Sequence, residues 1–172
     1  MKLLKHIGGL LLILVAVIVV RTFMHTPPPM ADVTPVNIEI DADSAAKHLS
    51  ESITYRTVSN QSEADKNDAA FLGFIRWVKD TYPAVNNELE LVMLNQTMLY
   101  KWQGSDESLK PILITGHYDV VPVIPGSEDK WEHPPYEGKI VDGIVWGRGA
   151  LDDKSGVVGI LEATTFLIAD GF

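Results

Sequence analysis

The sequence contains no cysteine. Disulfides and thiolate-ligated zinc are excluded, so any metal site must be built from histidine and carboxylates. The compartment stays open, because exported proteins without disulfides are ordinary. Basic residues are also scarce: 14 Lys and Arg stand against 23 Asp and Glu, a net charge of −9. Three of the 14, Lys2, Lys5 and Arg21, lie within the first 26 residues, where there is no acid. The other 11 against 23 acids leave the body at −12. So acidic a body lacks the basic face that nucleic acid requires. There is no internal repeat, and no low-complexity tract beyond a short cluster of prolines.

What the first residues do contain is an unbroken apolar run of fourteen, Ile7 to Val20, preceded by Lys2, Lys5 and His6. Three readings compete for it: a membrane anchor, a cleaved signal peptide and a buried core helix. The run alone would span about 21 Å as a helix, short of a hydrocarbon core of about 30 Å. Adding Leu3, Leu4, Phe23 and Met24, with Arg21 reaching back to the interface, makes crossing feasible. Pro29-Met30-Ala31 is a poor cleavage site, which favours the anchor. Basic residues ahead of the run predict a cytoplasmic N-terminus and an exported body, periplasmic, extracellular or lumenal; cleavage would make it secreted. Thr26 and Pro27-Pro28-Pro29 end any helix and open a stiff spacer. The expected organisation is a membrane segment over 1–25, a proline-rich linker over 26–37 and a folded body over 38–172.

In the body, Asp41 or Asp43 is placed to cap a helix running to Tyr55, with Ala45, Ala46, Leu49 and Ile53 at helical spacing. A polar loop around Ser62, Glu63, Asp65 and Lys66 follows. A second helix fits Asp68 to Tyr82, with Phe71, Leu72, Ile75 and Val78 on one face and Pro83 just past its end. Glu88 to Leu94 and Met98 to Trp102 read as strands joined near Asn95-Gln96, a hairpin pattern. Ile112 to Ile114 reads as a buried strand, and Gly156 to Ala169 as a largely apolar helix. The order predicts an α/β fold with a mixed central sheet and flanking helices. Asn60-Gln61-Ser62 and Asn95-Gln96-Thr97 match the N-glycosylation acceptor pattern, which matters only in a eukaryotic secretory cell.

The chemistry concentrates between Pro111 and Lys154. The apolar strand delivers His117 and Asp119 at its carboxyl end, and in extended chain side chains two apart share a face, with Tyr118 turned away. A histidine at a strand end is by itself an ordinary residue; its company changes the reading. A carboxylate beside a metal-binding imidazole fixes its tautomer and raises its basicity. Asp152 and Asp153 follow a Gly-Arg-Gly turn, and adjacent acids repel unless a cation compensates them. The plainer alternative is that one of them, Asp153 first, caps the helix beginning near Ser155. Trp131, Tyr136 and Trp146 are expected to pack rather than stack on a ligand, His133 to face solvent, and Glu128, Asp129 and Glu132 to form a solvated face. Gly147-x-Gly149 does not make a dinucleotide loop, because Asp152 stands where the third glycine belongs and would repel a pyrophosphate.

The wording Gly116-His-Tyr-Asp-Val-Val-Pro122, then Trp131, Pro134-Pro135-Tyr136-Glu137-Gly138, Asp142-Gly143 and Trp146-Gly-Arg-Gly-Ala-Leu-Asp-Asp-Lys154 resembles the aminoacylase and carboxypeptidase family of two-zinc metallopeptidases. Its Gly-Xaa carboxypeptidase and N-acyl-amino-acid hydrolase branch is the most similar. The likeness covers about 46–172, weakly before Pro111 and strongly after it. It implies a zinc-peptidase-like catalytic domain with two Zn2+ per complete site. It implies that His117 and Asp152 are metal ligands, Asp152 bridging both ions, and that Asp119 orients His117 and tunes the catalytic base. It also implies a cis peptide after Asp152. The implied substrates are small peptides with a free C-terminus or N-acylated amino acids, and the implied activity is that of a hydrolase, a metallopeptidase of carboxypeptidase type.

The sequence departs from the family pattern in one respect. The family uses a Glu-Glu pair, as general base and ligand, a further acidic ligand and a late histidine. Here no Glu-Glu occurs and no histidine follows His133. Two ligands cannot hold a catalytic zinc pair, since each zinc wants three protein ligands and an open position. The expectation is an N-terminal fragment of a zinc-dependent amide or peptide hydrolase, inactive by itself. The alternative is a non-catalytic membrane-anchored binding or interaction module.

Overall fold

The computed structural model describes residues 2–27, 38–60, 62 and 68–172. Most of the proline-rich linker, and Glu63, Asp65 and Lys66 of the polar loop, lie outside the described residues. The chain divides into two compact units, 1–39 and 40–172.

The first unit is one helix, α1, Lys2–Met24. Its segment Lys5–Met24 is long and apolar enough to cross a membrane, and its side chains are not buried against protein. It is apolar all round rather than on one stripe, as a helix solvated by lipid is.

The second unit opens with α2, Ala42–Thr54. Asp41 caps it, its carboxylate accepting from the Ser44 amide at 3.0 Å, so one of the amides left free at a helix start is satisfied. Next comes α3, Asp68–Thr81. Pro83 does not merely follow α3. It opens a further short helix, α4, Pro83–Glu88, as the first-turn residue whose missing N–H costs nothing there. The strand expected from Glu88 therefore starts later. β1, Glu90–Leu94, and β2, Thr97–Lys101, form an antiparallel hairpin about Asn95-Gln96, in register Leu94 with Thr97. Asn95 takes φ 56°, which asparagine tolerates. A second, tighter hairpin joins β3, Ile140–Val141, to β4, Ile144–Val145. The last helix, α5, is Lys154–Asp170.

The fold is α/β, and among the described residues its strands form two separate two-stranded antiparallel sheets and one isolated parallel bridge, Val58 to Val120. The core gathers Phe74, Trp77 and Val78 of α3, Tyr82, Val85, Leu89, and Val158 and Leu161 of α5. Phe74, not Leu72, occupies the buried face of α3: Leu72 is 48% exposed. Tyr118 stacks flat on Phe74 with ring centroids 4.4 Å apart. That stacking sends Tyr118 inward and, by the strand period, His117 and Asp119 outward.

The segment expected as a buried strand behaves differently. Ile112, Leu113 and Ile114 are 89%, 75% and 70% exposed and belong to neither sheet. Their apolar character is that of a strand with covered faces; among the described residues nothing covers them.

Candidate metal centre

Two stretches distant in sequence build the site. The first is the extended segment ending at Asp119. It is held against the exit of α2 by the bridge at Val58: the Val120 amide donates to the Thr57 carbonyl at 2.8 Å, and the Ser59 amide to the Val120 carbonyl at 3.0 Å. The buried Thr57 hydroxyl adds a bond to the Tyr118 carbonyl.

The second stretch is the turn from Gly147 into α5. Gly149 has φ 89°, and a Cβ there would lie 2.6 Å from Val120 Cγ1, so only glycine lets the turn close onto the first stretch. Lys154 then anchors the start of α5. Its Nζ is fully buried and donates to the Ser52 and Tyr55 carbonyls, each at 2.7 Å, at the end of α2. Burial pushes this amine down to about 7; the two carbonyls oppose that by favouring the ammonium.

These anchors bring His117 and Asp152 together. Nε2 of His117 lies 3.0 Å from Asp152 Oδ1, and Nδ1 lies 3.1 Å from Asp119 Oδ1. The second oxygen of Asp119 accepts from the Ser59 hydroxyl at 2.6 Å. The site is open: the His117 side chain is 53% exposed and that of Asp152 87%. Slight burial pulls the imidazole down, but its bonds to the Asp119 backbone and to Asp152, and both carboxylate charges, outweigh it and hold His117 above its ordinary value. A cavity of about 270 Å3 opens here, lined by His117, Asp119, Asp152, Arg148 and Leu151 among others.

Asp153 corrects the sequence expectation. It occupies the N-cap position of α5, yet its side chain caps nothing there; its Oδ2 accepts instead from the His117 amide at 3.3 Å. The Asp152–Asp153 peptide is cis. His133 is half-buried, not solvent-facing, and packs edge-on against Trp146 at 5.0 Å. Trp131 and Tyr136 also pack within the protein, beneath the Arg148 and Arg56 guanidinium groups. Ser59 is the site residue that the sequence did not expose; its only signal was a short β-type run, Thr57-Val58, beside it.

The donor set suits zinc as part of a site. Zinc takes nitrogen and oxygen ligands at about 2.0–2.1 Å, so two donors on one tetrahedral edge stand about 3.3 Å apart. The 3.0 Å between Nε2 and Oδ1 is close to that edge. A proton on Nδ1, donated to Asp119, would leave Nε2 free to take a metal in place of the proton it shares with Asp152 here. Among the described residues no group of three or more potential ligands converges, so the pair supplies two ligands and not a full set.

The sequence model of peptidase family M20/M25/M40 matches residues 113–172, which hold both halves of this site. Full-length relatives extend the match across the body. "Probable carboxypeptidase S-like 2" of Dictyostelium discoideum is 44% identical over 130 residues, covering 74% of this chain and 25% of that protein. The chain belongs to peptidase family M20/M25/M40. Other M20 relatives are the "N-fatty-acyl-amino acid synthase/hydrolase PM20D1" of Xenopus tropicalis and "Carboxypeptidase S" of Saccharomyces cerevisiae. The first is 35% identical over 171 residues, 94% of this chain and 32% of that protein. The second is 35% identical over 138 residues, 76% and 24%. This M20 chain thus spans about a quarter to a third of the length of these relatives.

Proposed function

We propose that this chain is the N-terminal portion of a zinc-dependent hydrolase of peptide or amide bonds, tethered to a membrane by α1 with its body exported. The observation that carries the reading is the meeting of His117 Nε2 and Asp152 Oδ1 at 3.0 Å, with Asp119 behind Nδ1 at 3.1 Å. Family membership and the names of the relatives support hydrolysis of C-terminal peptide bonds or of N-acylated amino acids.

His117 and Asp152 would be among the residues that hold the zinc. When bound, zinc lowers the pKa of a water and polarises a carbonyl. The chain's own residues do the positioning. Asp119 fixes the Nδ1–H tautomer of His117 and so presents Nε2. Asp153 grips the His117 amide. Lys154 ties the Asp152 turn to α2. A general base and the remaining ligands come from sequence beyond these residues, in keeping with the length of the relatives and with exposed Ile112 to Ile114.

Zinc content of the purified full-length protein tests the reading. Loss of zinc in both His117→Ala and Asp152→Ala supports it; unchanged zinc in either variant refutes it. Hydrolysis of a dipeptide and of an N-acyl amino acid by the full-length protein separates the two substrate classes. The rival reading, a membrane-anchored binding module without metal chemistry, draws on the absence of a three-ligand group among the described residues. It predicts that neither variant alters anything but local structure.

A further inference from the structure

We infer that Ser59 is a positioning residue for the metal centre: it locks the Asp119 carboxylate so that its other oxygen faces His117 Nδ1. The inference rests on the zinc reading above and extends it to a residue outside the motif stretches.

The geometry is specific. Asp119 has two carboxylate oxygens, and among the described residues each has one partner: Oδ1 the imidazole at 3.1 Å, Oδ2 the Ser59 hydroxyl at 2.6 Å. The Asp119 side chain is 44% exposed, so without Ser59 the carboxylate could turn toward water. Nδ1 also has a second acceptor in reach, the Asp119 carbonyl at 3.2 Å. A carbonyl fixes a tautomer, but only the carboxylate brings a full negative charge to the ring and raises its basicity as a ligand. Ser59 therefore selects which acceptor the imidazole uses.

Its own placement is rigid. The Ser59 amide donates to the Val120 carbonyl, and the Val120 amide to the Thr57 carbonyl. Thr57 and Ser59 are two apart in extended chain and share a face. Thr57 clamps the Tyr118 carbonyl, and Ser59 clamps the next side chain. Ser59 is solvent-exposed, so its hydroxyl has water available and nonetheless aims at Asp119. A serine serving only the parallel bridge would need no particular side chain.

The test is a ZnCl2 titration followed by calorimetry, which reports weak binding in every variant without any activity, with the ring nitrogens of 15N-histidine-labelled protein locating the binding at His117 where that residue is present. Ser59→Val and Ser59→Thr form a pair of equal shape that differs in the hydroxyl. The expected result is a dissociation constant about tenfold higher for Ser59→Val, the lower end of what loss of an outer partner costs a metal site. Ser59→Thr should stay within about twofold of wild type on the same scale. In an Asp119→Ala background Ser59→Val should add nothing. The inference is overturned if Ser59→Val binds like wild type while His117→Ala loses binding, which leaves the zinc reading standing. It is also overturned if Ser59→Val weakens binding equally with and without Asp119. If His117→Ala binds as well as wild type, the zinc reading itself fails and this inference falls with it.

Discussion

Gly138→Ala is the most informative single perturbation of the body, because its cost can be worked from the backbone alone. Gly138 is buried where the loop between the 3-10 turn Glu128–Lys130 and β3 crosses α2, and it has φ 61°. Alanine in that region costs about 1–2 kcal/mol of backbone strain. The added Cβ would also lie 2.1 Å from the Ser50 carbonyl oxygen and 2.8 Å from its carbon, more than an ångström inside ordinary contact. The obstacle is helix backbone, so it cannot turn aside. The loop must lift instead, breaking the bond from the Ser50 hydroxyl to the Gly138 carbonyl, worth about 1 kcal/mol. The expected destabilisation is about 3–4 kcal/mol, in the range reserved for backbone and packing conflicts. Equilibrium urea unfolding followed by tryptophan fluorescence measures it. Exchange of the Trp146 amide, bonded to the Lys139 carbonyl at 2.7 Å, reports whether the loop has lifted. A loss below about 1 kcal/mol, with Trp146 still protected, would refute the close approach.

Three further outcomes are expected. Lys154 sits below its usual pKa when folded, at about 7 against 10.5, so the folded state resists protonating it. Stability should therefore rise with pH across that window and fall as pH drops toward 7, by at most about 1.4 kcal/mol per unit. Lys154→Met should remove the slope, and equal slopes in urea midpoints for the two proteins would contradict this. Zinc affinity should increase with pH through a point above 6.5, because the proton on His117 is held more tightly than usual; a flat zinc-binding profile from about pH 6 to about pH 8 would contradict it. Tyr82→Phe should cost about 1–2 kcal/mol, since its buried hydroxyl donates to Glu162 at 2.7 Å and that carboxylate also meets His48. Thermal unfolding of the variant measures it.

Much of this was legible in the sequence. Asp41 or Asp43 announced the start of α2, and the structure gives the cap to Asp41; Asn95-Gln96 announced the hairpin, and the apolar run after Gly156 the last helix. The alternation from His117 to Asp119 correctly placed both side chains together, since Tyr118 between them has an aromatic core to enter. What escaped was set by contacts between distant residues. Pro83 carries the same local signal for ending α3 as for beginning α4, and only the packing of Val85 and Leu89 decides in favour of both. Leu72 and Phe74 compete for the buried face, and stacking on Tyr118 chooses Phe74. Asp153 has the residue type and position of a helix cap, but the amide of His117, thirty-six residues earlier, claims its carboxylate. Ser59 is drawn into the site by a single bridge between Val58 and Val120. No local pattern encodes that meeting.

The bare stretch from Ile112 to Ile114 has a practical consequence for anyone handling this chain. Three consecutive branched aliphatic side chains whose main chain has no strand partner among the described residues are a template for a second copy of themselves. The nearest charged gatekeeper upstream is Lys110, and Pro111 and Gly116 bracket the stretch. At the concentrations used for purification, self-association through this seam will compete with correct assembly, and a lysine in place of Leu113 should keep the protein in solution.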